Sequence, residues 1–99
     1  MNENGFYIYL RNLGLSSKVS RDNISRIKRV EKSIKNCDID EEYRKDKCEV
    51  LLNLFNKNID LEEIKKVLIG RLPIGSYTMN TYKYAIRKYV AFRDELDKI

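Results

Sequence analysis

The stretch that decides the fold is YTMNTYKYAIRKYVAFRDELDKI, which occupies residues 77–99. At 100° per residue its apolar side chains share one arc about 160° wide, which is the pattern of an amphipathic α-helix. We therefore predict a helix that begins between Tyr77 and Asn80, continues to the chain end and is buried on two sides. Its apolar face comprises Met79, Tyr82, Ala85, Ile86, Tyr89, Val90, Phe92 and Leu96.

The same helical period recurs upstream, so we expect four or five helices in all. The earlier ones are predicted over residues 4–13, 16–36, 40–55 and 61–69. Propensity alone would also allow a short strand at Phe6 to Leu10. Residues that cap or break helices bound these segments. They are Ser16 or Ser17, Asp40 and Asp60 as N-caps, and Gly14, Asn56-Lys57-Asn58, Gly70, Pro73 and Gly75 beyond the helix ends.

The composition supports a single all-α domain. Of the 99 residues, 42% are hydrophobic and 35% are charged, with four Gly and one Pro. Such a chain is too apolar for disorder and too poor in turn residues for an all-β fold. Because chains of this length usually form one compact unit, we predict one domain over residues 1–99.

The residues that the sequence lacks exclude most catalytic chemistry. Without histidine there is neither a Ser-His-Asp or Cys-His site nor a His-bearing zinc site. Cys37 and Cys48, without a CxxC motif, are too few for a four-thiolate zinc or iron–sulfur site. We predict a protein that is not an enzyme and holds no metal and no cofactor, with Cys48 in the core and Cys37 in a loop as free thiols.

The sequence also favours a cytoplasmic protein without a membrane partner. Residues 1–4 do not form a basic leader, and no run approaches the roughly 18 consecutive apolar residues of a membrane span. Two unpaired cysteines are typical of a reducing compartment.

The net charge of +5 is unevenly distributed along the chain. Residues 1–36 carry eight basic and three acidic side chains, residues 37–69 six and nine, and residues 70–99 six and three. Two basic ends therefore flank an acidic middle. This asymmetry is typical of a surface that faces nucleic acid, although a small basic protein can show it without such a partner.

The second predicted helix carries a basic stripe along one side. Only Asp22 and Glu31 oppose seven basic residues between Lys18 and Lys35. From Arg21 to Lys35 the stripe measures about 21 Å, at 1.5 Å per residue. That length reaches several phosphates of a duplex, although a solvated helix face would also be rich in lysine. The predicted DNA-binding residues of this helix are Lys18, Arg21, Ser25, Lys28, Arg29, Lys32 and Lys35.

The last helix presents a second basic group beside an aromatic ring. Lys83 and Arg87 lie four positions apart, with Tyr84 and Lys88 next to them on the polar side of the helix. Cations beside an aromatic ring can hold a phosphate and stack on a base or sugar. We predict that these four residues also contact DNA, the alternative being that the Tyr84 ring packs into the core.

Short motifs follow one another in a recognisable order. They are Tyr9-Leu10, Gly14-Leu15-Ser16, Ile24-Ser25-Arg26-Ile27, Val30-Glu31 and the run TYKYAIRKYVAF at residues 81–92. Together they resemble the N-terminal core-binding domain of phage integrases and tyrosine recombinases, and a similar helical module that precedes nuclease domains in restriction-type proteins. The resemblance implies a SAM-like orthogonal bundle of four or five helices.

The same resemblance implies half of a clamp around duplex DNA. The helix opened by Ser16-Ser17 and the helix containing Lys83 to Lys88 would face the DNA, while a separate catalytic domain exchanges strands. Val19 stands where the family usually has Thr, and the Arg, His and Tyr set of the catalytic domain is absent. We therefore expect a domain of a longer protein, or an independent relative without chemistry, that acts in DNA integration or recombination.

A second hypothesis is a protein-interaction or dimerisation module of a phage-defence or mobile-element protein. Its contact surface would be the wide apolar face around Ile86, Tyr89 and Phe92, or the acidic middle of the chain. The first hypothesis predicts double-stranded DNA as the partner. The second predicts another copy of the chain or another protein, and a catalytic domain of the same longer chain fits either hypothesis.

Overall fold

A computed structural model of the chain describes residues 1–56, 61–70, 72 and 76–98. Over these ranges the backbone forms six α-helices and no strand, which confirms the all-α prediction. The strand considered for Phe6 to Leu10 is wrong, because these residues lie within the first helix. The predicted features at 57–60, Pro73 and Gly75 lie outside the described residues. The helices are α1 (Glu3–Asn12), α2 (Ser17–Ser33), α3 (Ile39–Asp46), α4 (Glu49–Asn53), α5 (Leu61–Val67) and α6 (Ser76–Asp97).

Helix α6 lies at the centre of the core, where it packs against α1 and α2. Phe6 of α1 meets Tyr89 edge-on with ring centroids 5.0 Å apart, and its ring lies 5.7 Å from that of Phe92. The predicted burial of this helix on two sides is therefore confirmed, although Leu96 is exposed and Val90 is only half-buried. The buried members of its apolar face are Met79, Tyr82, Ala85, Ile86, Tyr89 and Phe92.

The junction between α1 and α2 follows the sequence closely. Gly14 has a φ of +93°, a left-handed conformation in which a side chain would be strained. Ser16 caps α2, its Oγ accepting a hydrogen bond from the Val19 amide at 3.1 Å. The helical period predicts that Val19 lies on one apolar side of this helix with Ile24, Ile27, Val30 and Ile34, but Val19 is exposed. The rest of that side, Ile24, Ile27, Val30 and Ile34, is buried or half-buried.

Helix α2 ends at Ser33, one turn before the predicted end near Asn36. Ile34 adopts an extended conformation, and the amide of Lys35 donates to the carbonyl of Val67 at 2.7 Å. Backbone hydrogen bonds to the segment after α5 thus replace the last helical turn. As a result Lys35 is not part of the helix, and the basic stripe is shorter than predicted.

The single helix predicted over 40–55 is divided into α3 and α4. Lys47 and Cys48 both have positive φ, at 55° and 64°, a conformation that cannot continue a right-handed helix. The Asp46 carboxylate then accepts the Glu49 amide at 3.1 Å, which satisfies a free donor at the start of α4. The turn places Cys48 in the core, as predicted.

The sequence predicted that Asp40 caps α3, and this is wrong. Asp38 is the N-cap, and its Oδ1 accepts a hydrogen bond from the Asp40 amide at 2.9 Å. The Asp40 carboxylate instead accepts from the Met1 ammonium at 3.0 Å, from the Tyr89 hydroxyl at 2.6 Å and from Arg93 Nη1 at 2.5 Å. One carboxylate thereby joins the N-terminus, α3 and α6.

These contacts change the acidity of Asp40. Burial alone would raise the pKa of this carboxyl, but hydrogen bonds from Tyr89, the Met1 ammonium and Arg93 hold its pKa below the ordinary value of 3.8. Burial and the hydrogen bond to Asp40 raise the pKa of Tyr89 to about 12. The carboxylate is therefore charged and the phenol neutral at physiological pH.

We expect Lys47→Gly to raise the free energy of unfolding by about 0.5–1 kcal/mol, because glycine removes the left-handed strain that an L side chain bears there. The gain is limited by the loss of the ion pair between Lys47 Nζ and Asp94, 3.2 Å apart. Urea denaturation of the purified variant measures the change.

Lys45→Gly is the matched control for this prediction, since Lys45 lies within α3. There glycine should lower stability by about 0.5–1 kcal/mol. Equal effects of the two substitutions would contradict a strained backbone at Lys47.

Candidate nucleic-acid interface

The basic side of α2 forms one wall of a shallow groove, which we term the α2 groove. It contains four of the predicted site residues and two that the sequence did not indicate. The lining residues are Ser25, Lys28, Arg29, Lys32, Ser33 and Gly70.

The opposite wall of the α2 groove is the segment after α5, which is held against the end of α2. The amides of Ile69 and Gly70 donate to the Ser33 carbonyl at 2.8 and 3.3 Å. Ile34 and Leu68 form an isolated antiparallel bridge beside them. A Cβ placed on Gly70 would lie 3.2 Å from the Ser33 Cα, so glycine permits this close approach.

The cations of the α2 groove differ in their partners. Arg29 and Lys32 are exposed and form no ion pair with any residue in the described ranges. Lys28 pairs with Glu3 of α1, with Nζ and Oε1 2.6 Å apart. Since Ser25 and Ser33 add hydroxyl groups and the lining includes no carboxylate, the groove is chemically suited to an anion.

Three predicted residues of the stripe, Lys18, Arg21 and Lys35, lie outside the α2 groove. Lys18 pairs with Asp22 at 3.0 Å on the exposed surface. Arg21 lies over the Tyr7 ring, with its guanidinium carbon 5.9 Å from the ring centroid. The hydrogen bond with Ser17 lowers the pKa of Tyr7, and the charge of Arg21 acts in the same direction.

The basic residues of α6 line a second surface, the α6 groove, made of Asn80, Lys83, Tyr84, Arg87, Lys88 and Ala91. Tyr84 is 41% exposed, which agrees with its placement on the polar side. The Lys88 ammonium lies 5.2 Å from the centroid of that ring, a cation–π contact. Lys83 donates to the Asn56 side chain at 3.1 Å, and Arg87 is exposed.

The structure brings the predicted residues together in two groups rather than one. The α2 groove and the α6 groove share no lining residue. Lys18, Arg21 and Lys35 line neither of them. The surface suited to an anion is therefore narrower than the sequence indicated.

The sequence missed Ser33, Gly70 and Glu3. Gly70 was recognised only as a helix breaker, and its approach to Ser33 is a long-range contact. The Glu3–Lys28 pair joins two helices, so no spacing along one helix reveals it. An alignment of covarying positions would be the signal for such contacts.

The apolar face proposed for dimerisation lies inside the single chain. Ile86 and Tyr89 are fully buried, and Phe92 nearly so, against α1 and α2. These side chains are not available to a partner unless the core opens.

Neither thiol is positioned for reactivity or metal binding. Cys37 and Cys48 are free, and burial raises the pKa of each to about 12. Among the residues with described positions, no group of three His, Cys, Asp or Glu side chains could hold a metal ion. Likewise, no helix in the described ranges is long and apolar enough to cross a membrane.

No protein-family model, curated protein or solved structure matches the chain. The case for a function therefore rests on the chemistry of the two grooves and on the order of the sequence motifs.

Proposed function

We propose that the chain is a non-enzymatic DNA-binding domain that grips the duplex backbone through the α2 and α6 grooves. The observation that carries the proposal is the α2 groove, in which Arg29 and Lys32 are exposed and have no acidic partner within the described ranges. Lys18, in contrast, is paired with Asp22 four positions along the same helix.

The dimensions of α2 agree with a backbone contact. Ser25 and Lys32 are separated by about 10 Å along the helix axis. Over that distance duplex DNA presents about six phosphate charges, counting both strands. Hydroxyl and guanidinium groups are among the usual donors to phosphate oxygens.

The motif order extends the proposal to a particular class. We infer a SAM-like bundle of the core-binding type found in phage integrases and tyrosine recombinases, acting in DNA integration or recombination in the cytoplasm. Support comes from Gly14 and Ser16, whose left-handed turn and helix cap give the Gly14-Leu15-Ser16 motif a structural role. A catalytic domain would then be a separate partner.

The salt dependence of binding tests the proposal. With about five phosphates neutralised, the logarithm of the association constant should fall with the logarithm of salt concentration with a slope near −4.5. Fluorescence anisotropy with a labelled 20-base-pair duplex between about 50 and 200 mM salt measures this slope. Absence of binding at about 50 mM salt would refute DNA binding.

A double variant assigns the binding to α2. Arg29→Gln with Lys32→Gln removes about two phosphate contacts, which should reduce the slope by about 1.8 and weaken binding about 60-fold at 0.1 M salt. The matched control is Arg44→Gln with Lys45→Gln, which removes the same charge from the exposed side of α3. This control should bind DNA nearly as the wild type does.

A further inference from the structure

The α2 groove has the features of a binding site for a single phosphate group. Its two walls are fixed to each other by the hydrogen bonds of Ile69 and Gly70 to the Ser33 carbonyl. Ser33 is only 3% exposed and yet lines the groove. Gly70 adds no side chain that could fill the space. A pre-formed site of this kind loses little conformational entropy when a ligand binds.

The Glu3–Lys28 pair brings a carboxylate to a cation of this groove. The Glu3 oxygen lies 2.6 Å from Lys28 Nζ, and about half of each side chain is exposed to solvent. A carboxylate at that distance makes the charge-assisted hydrogen bond that a phosphate oxygen would make. Because the pair is open to water it is weak, and a stronger anion can replace it.

We propose that the α2 groove seats one phosphodiester group of the DNA backbone and that Glu3 is its internal competitor, holding Lys28 in the unbound protein. On binding, Lys28 exchanges Glu3 for a phosphate oxygen, while Arg29, Lys32 and the two serine hydroxyls surround the same group. The inference rests on the proposed DNA binding and adds the position of the phosphate and a residue that limits affinity.

Two pairs of variants test the position and the competitor. Ser25→Asp puts a carboxylate in the groove and should weaken duplex binding about eightfold at 0.1 M salt, the effect of one lost phosphate contact. Its control, Asn12→Asp, makes the same charge change at an exposed position of α1 that lines neither groove. Glu3→Gln should strengthen binding about two- to fivefold, the range for an exposed ion pair. Its control is Glu41→Gln, which breaks the ion pair with Arg44 on α3.

Amide chemical shifts give a readout of position that does not depend on substitution. Titration of the isotope-labelled protein with the duplex should shift the Gly70 and Ser33 amides early and strongly. Thermal denaturation of each variant establishes that it is folded at the assay temperature.

The outcomes separate the two claims. If the wild type does not bind the duplex, both the proposed function and the proposed phosphate site are refuted. If it binds but Ser25→Asp weakens binding no more than Asn12→Asp does, the phosphate site in the α2 groove is refuted while DNA binding stands. If Glu3→Gln binds no more tightly than Glu41→Gln, Glu3 is not a competitor.

Discussion

Phe6→Ala is expected to lower the free energy of unfolding by about 3–5 kcal/mol, the usual cost of deleting a fully buried phenyl ring. Phe6 is 0% exposed and contacts the rings of both Tyr89 and Phe92. The deletion leaves a cavity where α1 meets α6, and it also removes the edge-to-face contact. For a chain of this size the loss lowers the melting temperature by at least about 12 °C.

Ile8→Ala provides the control on the same helix. Ile8 is 58% exposed, so its truncation should change stability by less than about 0.5 kcal/mol. Circular dichroism during thermal and urea denaturation compares the two variants with the wild type. Similar stabilities for Phe6→Ala and Ile8→Ala would show that α1 does not pack on α6 as described.

The sequence predicts the fold well where local and tertiary preferences agree. In α6 the apolar period continues for five turns, so the buried face is identified almost residue by residue. At Lys47 and Cys48 the same apolar period continues across a break in the backbone. Neither residue is a usual breaker of helices, yet Lys47 takes the left-handed position that ends α3, where the Lys47 and Cys48 amides donate to the Tyr43 and Glu42 carbonyls. Glycine is the usual residue at such a position, so the sequence carries no signal for this break.

The candidate site is predictable only in part, for a similar reason. A helical wheel places Ser25, Lys28, Arg29 and Lys32 on one exposed side because these positions share one element. The second wall arises from backbone hydrogen bonds between Ser33 and the segment after α5. Such pairing depends on how two distant segments meet, so the sequence alone indicated a stripe where the structure has a groove.

Three of the nine acidic residues in the middle of the chain make contacts within the fold, so fewer carboxylates are left there for a partner. Asp38 and Asp46 accept backbone amides at the starts of α3 and α4. Asp40 binds Arg93 and the N-terminal ammonium.

Asp40→Asn is expected to lower the free energy of unfolding by about 2–3 kcal/mol at pH 6–7, because it leaves Arg93 and the Met1 ammonium without their counter-charge. This expected loss of unfolding free energy is smaller than the loss from breaking a fully buried ion pair, because the side chains of Asp40 and Arg93 are 21% and 20% exposed. Urea denaturation at several pH values measures both the loss and its pH dependence.

The pH dependence follows from the direction of each pKa shift. The folded state lowers the pKa of Asp40, so its contribution is present above about pH 4 and is lost as pH falls through the lowered pKa. Burial alone would lower the pKa of the Met1 ammonium, but Asp40 raises it above 8.0. That contribution is present below pH 8 and is lost as pH rises through the raised pKa. Wild-type stability should therefore be highest between about pH 5 and 7.5.

In Asp40→Asn both arms of this profile should flatten, because the carboxyl that titrates in the acidic arm is gone and the main group that raises the pKa of the Met1 ammonium goes with it. Glu41→Gln is the neighbouring control: the Glu41 carboxylate is exposed and pairs with Arg44, so this variant should keep the wild-type profile. A parallel pH profile for Asp40→Asn and the wild type would mean that other groups govern the pH dependence. It would also mean that the contacts of Asp40 with Met1, Tyr89 and Arg93 do not hold α3 and the N-terminus against α6.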